Sequence, residues 1–405
     1  MEDLGAERCV LLKFGELALK GRNRPRFIGA LERNLRRLTA DLGALDVRHR
    51  GGVLILTGDL EPEELVELVG RCRALPGVSV VQPGLRCARD AAAAADAAVA
   101  LLRDRPGRSF AVRARRRDKR FPLSSMELAR VIGEAVRVRL GLEVDLSAPD
   151  LELHVEVDHR ELLVSAERLR GAGGLPVGSS GRALVLLSGG LDSPVAAYRM
   201  MKRGLRCDFV HFSGRPYTGP ESIYKAYALV GRLDRFQGGS RLFVVSFGPA
   251  QRRIASAGAG RLQVLSQRRL MVRAASALAS RIGADALVTG DSLGQVASQT
   301  LPNLAVVEDA AEVPLLRPLI DRDKSEIVEL AQTLGTYEIS ILPDEDCCQL
   351  FAPRLAATRG EPDDLRAIER SADTEELIEE LVSSAELFRP RLEASAPDIV
   401  LTGPR

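Results

Sequence analysis

Cysteine and histidine are scarce in this chain. The 405 residues hold six cysteines, at 9, 72, 87, 207, 347 and 348, and four histidines, at 49, 154, 159 and 211. No cysteine pair has metal-finger spacing and the histidines do not cluster, which argues against a structural zinc site. So few thiols in a chain of this length read as reduced core residues or reactive groups rather than disulfides. No leader is expected either: MEDLGAERCV has no basic region followed by an apolar core. The longest apolar stretch, AAAAADAAVALL at 91–102, is interrupted by Asp96 and too short to span a bilayer. The expectation is a cytoplasmic protein that does not use a membrane. There is little net charge, only +2, so any charged partner has to be sought in local clusters. Lysine is rare too: six, at 13, 20, 119, 202, 225 and 324, among 57 basic residues. That bias looks genomic, and Arg-for-Lys choices carry little meaning. No internal repeat is present.

What remains is 45% hydrophobic and long enough for two or three domains with real cores. Up to about residue 168 short strands and helices mix. CVLLKFGELALKG reads as a strand, and RPRFIGALERNLRRLTADLG as a helix with Phe27, Leu31, Leu35 and Leu38 on one face. GGVLILTG, GVSVVQPG, SFAVRARR, LELHVEVD and ELLVSAERL read as strands. EPEELVELVGRC, residues 90–103 and SSMELARVIGEAVRVRLG read as helices. This predicts one or two small α+β units. RGAGGLPVGSSG, residues 170–181, marks a boundary or functional loop. Beyond it strand and helix alternate: strand 183–187, helix 193–203, LRCDFVHF, helix 220–236, RLFVVSF, helix 265–282, ADALVTG and DKSEIVELAQTLG. Repeated βα units imply a doubly wound parallel sheet with sites at the carboxyl ends of its strands. The last fifty or so residues are acidic and read as helical.

The informative stretch is RALVLLSGGLDSPVAAYRMMKRG, residues 182–204. A buried-type strand feeds Ser188-Gly189-Gly190-Leu191-Asp192-Ser193, and a helix follows. The plain interpretation is a tight turn with Ser193 as N-cap and Pro194 at the first helical position. A strand, a glycine turn and a helix N-terminus also form an anion cradle. The loop is neither a Walker A motif, which needs a Lys-Ser/Thr pair, nor a G-x-G-x-x-G fingerprint.

This stretch resembles the pyrophosphate loop, SGGxDS, of the N-type ATP pyrophosphatases (PP-loop enzymes). GAGGLPVGSSG, VHF, SQRRLMVRAA, TGDSLGQVASQT, PLLRPLIDRDKSEI and LPDEDCCQLFAP, in that order, resemble the tRNA 4-thiouridine synthetases. That family is also called the tRNA uracil 4-sulfurtransferases or thiamine-biosynthesis sulfurtransferases. LLKFGELALKGRNRPRFIGALERNL is similar to its opening domain, and VRARRRDKRFPLSSMELARVIGEAV to its THUMP RNA-binding domain. The likeness runs from about residue 8 to 355. It implies an α/β fold: a C-terminal doubly wound, parallel-sheet PP-loop domain (182–405, with a helical tail) after α+β N-terminal modules. Those are a ferredoxin-like domain (1–58), a THUMP domain (59–168) and a Gly-rich linker (169–181).

The resemblance also implies roles. Leu186 and Leu187 end the strand under ATP, and Ser188, Gly189, Gly190, Asp192 and Ser193 hold its phosphates. His211 and Phe212 contact the adenosine; Arg268, Gly290 and Gln299 complete the pocket. Asp192 helps hold Mg2+, and Lys324 is a catalytic cation near the phosphates. Cys348 is the sulfur-handling thiol, with Cys347 as the fallback in the doublet. The rhodanese domain of some relatives is not expected, since no cysteine follows Cys348 and the tail is short. Arg113, Arg115, Arg116, Arg117, Lys119 and Arg120 form the densest basic cluster, and phosphates of a folded tRNA are the expected ligands. Lys20, Arg22, Arg24 and Arg26 could extend it. The implied activity adenylates O4 of the uridine at tRNA position 8 and replaces it with persulfide sulfur from a cysteine desulfurase. Sulfur delivery to a small carrier protein for thiamine thiazole synthesis, and a homodimer, are also allowed. Two rivals stay open: another PP-loop enzyme, such as a 2-thiolating tRNA modifier or amide-forming ligase, and a non-catalytic tRNA binder with a relic nucleotide fold.

Overall fold

The computed structural model describes residues 6–50, 52–343 and 350–390. The chain divides into two compact units, residues 1–176 and 177–405.

The first unit contains β1 (Glu7–Lys13), α1 (Arg24–Leu38), β2 (Asp46–Arg50), β3 (Val53–Thr57), α2 (Pro62–Ala74), β4 (Val80–Ala88) and α3 (Ala91–Leu102). It continues with β5 (Ser109–Arg116), α4 (Ser125–Leu140), β6 (Glu143–Val144), β7 (Leu151–Val157), β8 (Glu161–Ser165) and β9 (Leu169–Arg170). One nine-stranded sheet runs through it in the order β2-β3-β1-β4-β8-β7-β5-β6, with β9 added on β4. Each end of the sheet has its own core. Val10, Leu12, Leu54 and Leu56 pack with Leu31 and Leu35 of α1. Phe110, Val155 and Val164 pack with Ala94, Ala98, Leu128 and Ile132 of α3 and α4. The poly-alanine stretch is therefore a helix, and its small side chains let it sit close to the sheet. Asp90 caps it by accepting from the N–H groups of Ala92 and Ala93. The first strand is shorter than its sequence suggests. It ends at Lys13, and Glu16–Leu19 turn as a 3-10 helix.

The second unit has β10 (Arg182–Leu186), α5 (Asp192–Lys202), β11 (Arg206–Ser213), α6 (Glu221–Asp234), β12 (Leu242–Ser246), α7 (Gly248–Ser256) and α8 (Gln263–Ile282). There follow β13 (Ala286–Val288), α9 (Leu301–Glu308), β14 (Leu315–Leu316), α10 (Lys324–Leu334), α11 (Tyr337–Ser340), α12 (Pro362–Ser371), α13 (Thr374–Ser383) and β15 (Glu386–Phe388). Its sheet order is β14-β13-β10-β11-β12-β15. All pairs are parallel except β12–β15. From β10 the chain winds outward through β11 and β12, then returns to the other side of β10 with β13. The switch point thus lies between β10 and β13, where α/β sheets place their ligands.

The acidic tail departs from the purely helical expectation. Its helices break at Ala372–Asp373, where Asp373 takes φ +50°. Beyond them, Glu386–Phe388 form an antiparallel edge strand on β12.

Candidate active site and nucleic-acid interface

The glycine-rich loop leaves the end of β10 at the switch point. Leu186 ends the strand, and Leu187 donates its N–H to the Val210 carbonyl of β11 at 2.8 Å. The loop then closes on itself through serines. Ser188 donates its N–H to Ser193 Oγ at 3.0 Å, the two hydroxyls lie 3.0 Å apart, and Gly190 N–H reaches Ser188 Oγ at 3.3 Å. Ser193 is therefore not the helix N-cap expected from the sequence. Helix α5 already begins at Asp192 with Leu191 at the cap position, and the Ser193 hydroxyl is used to shape the loop. The loop runs directly into the N-terminus of α5, which carries the positive end of that helix's dipole.

Gly290 packs against the backbone at the start of α5. It follows β13, and a Cβ built there would lie 2.7 Å from the Ser193 nitrogen and 2.9 Å from the Asp192 carbonyl carbon. Only glycine permits this approach. Asp192 is met by Lys324 from the start of α10, Nζ to Oδ1 at 2.7 Å, across 132 residues of sequence. The capping box of Asp323 and Glu326 fixes that helix start. Among the described residues the other Asp192 oxygen receives only a long contact from the Gln295 amide, 3.4 Å. The Lys324 side chain is 47% exposed, so this pair is a reachable surface of paired charge and not a buried strut.

His211 and Phe212 sit near the end of β11, as the sequence placed them, but their side chains point into the fold. Nδ1 of the His211 ring donates to the Leu187 carbonyl at 2.9 Å, and Nε2 lies 3.1 Å from Ser222 Oγ. Phe212 packs edge-on against Phe247. Arg268 of α8 donates to the Ser298 carbonyl at 2.9 Å and to Asp291 Oδ1 at 2.5 Å. The Gln299 amide also reaches Asp291, at 3.3 Å, while its Oε1 is buried with no hydrogen-bond partner among the described residues.

The sequence does not single out Asp291. It is almost wholly buried and gathers Arg268, Gln299, the Thr289 hydroxyl and Arg317. Its signal was its place directly after Gly290 at a strand end. The loop offers one carboxylate for a divalent cation, Asp192. Among the described residues no group of three or more ligating side chains occurs. One carboxylate beside a phosphate cradle suits Mg2+, which takes its remaining ligands from phosphate and water.

Cys347 and Cys348 lie outside the described residues. The four other cysteines are buried. Burial pushes the thiols of Cys9, Cys72 and Cys87 up to about 12, and that of Cys207 higher still. None of these four can present a thiolate near neutral pH.

In the first unit the basic cluster is partly committed inside the protein. Arg113 pairs with Glu152 at 2.9 Å, and Arg116 donates to the carbonyls of Phe121 and Leu123. Arg117 holds the buried Glu156, which Lys13 also meets. Arg120 donates to Asp118, which Arg89 and His159 also contact. The hydrogen bonds from Arg120 hold the Asp118 carboxyl well below the usual range. Arg115 and Lys119 are exposed, and their side chains make no hydrogen bond or ion pair among the described residues. Of the second cluster, Lys20 pairs with Glu16, while Arg22 and Arg26 are exposed. Among the described residues no helix is long and apolar enough to cross a membrane.

Comparison with known proteins agrees with this geometry. Residues 178–374 match the profile of the thiamine biosynthesis protein (ThiI), residues 89–167 that of the THUMP domain, and residues 9–81 that of the ThiI ferredoxin-like domain. A protein of Nocardia farcinica named as a probable tRNA sulfurtransferase is 54% identical over 389 residues, covering 94% of each chain. One of the same name from Lysinibacillus sphaericus is 39% identical over 383 residues, again covering 94% of each. Among solved structures, a 4-thiouridine synthetase in complex with RNA and bound ATP superposes with a TM-score of 0.87 at 34% identity. The match covers 94% of this chain and 99% of that one.

Proposed function

The chain belongs to the ThiI family of tRNA sulfurtransferases, and from that premise we propose that it converts a tRNA uridine to 4-thiouridine by adenylating O4 and replacing it with sulfur. The Asp192–Lys324 pair at the mouth of a serine-closed glycine loop carries the reading. Bound ATP would lay its β- and γ-phosphates against the loop amides and the N-terminus of α5. These donors then stabilise the pyrophosphate that departs as O4 attacks the α-phosphorus. Lys324 offers a compact positive charge there, which an arginine fork would not duplicate. Asp192 would hold Mg2+, whose contribution is charge neutralisation at the phosphates. The buried, unpaired Gln299 Oε1 suits an adenine amine. His211 keeps the loop in register by fixing the Leu187 carbonyl.

In the second step a persulfide's terminal sulfur attacks C4, and AMP leaves with the old O4; a second thiol then attacks the carrier sulfur of the C4–S–S adduct, which releases 4-thiouridine and leaves a disulfide for an external dithiol to reduce. Four buried, un-ionised thiols cannot do this, which leaves the Cys347-Cys348 doublet. Family register favours Cys348, with Cys347 second. A cysteine desulfurase is the donor. The family's description as a thiamine biosynthesis protein supports a second acceptor, a small sulfur-carrier protein. The tRNA is gripped by its phosphates through the first unit, chiefly at Arg115 and Lys119, with the uridine at position 8 as target.

The test is incubation with unmodified tRNA, Mg-ATP and a persulfide source, read by mass spectrometry of the nucleosides. Formation of 4-thiouridine only when ATP is present is the expected result. ATP-dependent RNA binding without product would favour the relic instead. A Cys348→Ser variant that thiolates normally would move the sulfur role to Cys347 or to the donor alone.

A further inference from the structure

The acidic tail has no role in the account so far, yet it is stitched to the nucleotide side of the second unit. The turn 294–299 carries Gln295, Ser298 and Gln299, which respectively meet Asp192, Arg268 and Asp291. Most of this turn is exposed, and inside it only Gly294 N–H to Gln299 O and Gln299 N–H to Val296 O tie the backbone. Its firm attachment is to residues 357–360. Asn303 is completely buried and spans both segments. Its amide donates to the Ala297 carbonyl at 2.8 Å and to the Ala357 carbonyl at 3.0 Å, and its oxygen accepts the Gly360 N–H at 2.9 Å. Thr300 stands at the N-cap of α9 but does not cap it; its hydroxyl donates to the Thr358 carbonyl at 2.7 Å.

Downstream the tail is locked to α8, the helix that bears Arg268. Arg269 is buried and donates to Glu369 of α12 at 2.5 Å and to Asp309 at 3.0 Å. Leu365, Leu377 and Leu381 enter the sheet's core, and β15 pairs with β12. Consecutive arginines of one helix thus serve two ends: Arg268 holds the turn, and Arg269 holds the tail.

We propose that residues 357–388 are a positioning strap for the turn 294–299, and that Asn303 is the positioning residue through which the strap sets Gln299 and Arg268 for ATP. The proposal rests on assigning that turn to the ATP pocket. Asparagine is required because the site needs two donors and one acceptor in one small side chain. An aspartate would turn a carboxylate toward two carbonyl oxygens.

The test is the dissociation constant of Mg-ATP for the full chain, measured calorimetrically beside the melting temperature. Asn303→Asp is expected to raise the constant about tenfold, and Thr300→Val and Glu369→Gln about threefold each. Leu233→Ala, a buried change at the far end of α6, is the control for general loosening. It should lower the melting temperature while leaving ATP affinity within about twofold. Should Asn303→Asp fail to fold, the two milder variants carry the test. Unchanged affinity in those variants, or an equal loss in Leu233→Ala, would overturn the strap alone. A wild-type chain that binds no ATP would overturn the assignment of the pocket with it.

Discussion

The two charged regions of this protein are built on opposite plans. At the glycine loop the polar groups support one another sparingly and stay reachable. Asp192 has one strong partner, Lys324, and the loop amides turn on a pair of serine hydroxyls. In the first unit six basic residues crowd into eight positions, yet most are engaged by the protein. Arg113, Arg117 and Arg120 hold acids, Arg116 holds two carbonyls, and of the six only the side chains of Arg115 and Lys119 lack a partner among the described residues. A dense basic run therefore overstates its free charge, while a sparse loop understates its chemistry. Density reports solvation and folding as much as binding.

The sharpest way to break this contrast is to remove Lys324. Lys324→Ala is expected to lower kcat/KM for thiolation by about 10²–10³-fold while leaving tRNA affinity unchanged, as steady-state kinetics and a filter-binding assay would show. A parallel fall in tRNA affinity would mean that the regions do not divide the work as described. Gly290→Ala comes next. Its methyl group would press on Ser193 N, so ATP affinity should fall by about tenfold or more without any change in RNA binding.

In the basic cluster, Arg115→Ala and Lys119→Ala together should reduce the slope of log affinity against log salt by about 1–2, measured by titrating tRNA at several salt concentrations. Arg117→Ala should leave that slope nearly intact and cost about 1–3 kcal/mol of stability, because Glu156 is buried and keeps only Lys13. If the two results came out reversed, the division between free and committed arginines would be wrong.

The smallest effect is acid sensitivity. Asp118 and Glu156 have carboxyls held below their ordinary values, Asp118 by hydrogen bonds from Arg120 and Glu156 by Lys13 and Arg117 against the opposing effect of burial. The stability they give is complete above the ordinary carboxylate range and lost as pH falls through the lowered values. Thermal melts should show the first unit weakening only below about pH 4.

Legibility follows sequence distance. The strand-loop-helix around Ser188–Ser193 is local, so its residues and their spacing announce it. So do α3, where alanines and one Asp cap suffice, and β5, whose bounds match SFAVRARR. The sheet order and the nine-strand continuity of the first unit depend on pairings tens of residues apart, such as β4 with β8, and no periodicity encodes them. The same holds for the site. Gly290 was readable as a glycine after a strand, but Asp291 gains its meaning only from Arg268 and Arg317, which lie 23 and 26 residues away. The acids that occupy Arg113 and Arg117 each lie 39 residues along the chain, so the cluster looked freer than it is. In the tail, acidic composition suggested helix throughout, while pairing with β12 made Glu386–Phe388 a strand. Asn303 gives no signal in a sequence at all, since its three partners are backbone atoms.

The central claim is that ATP activates the uridine oxygen itself. It can be tested by giving the protein tRNA whose target uridine carries oxygen-18 at O4, with Mg-ATP and a persulfide source, and weighing the nucleotide products. The account predicts that each 4-thiouridine formed is matched by one AMP bearing the label and one unlabelled pyrophosphate. Label found in water or in inorganic phosphate, or ADP in place of AMP, would contradict it.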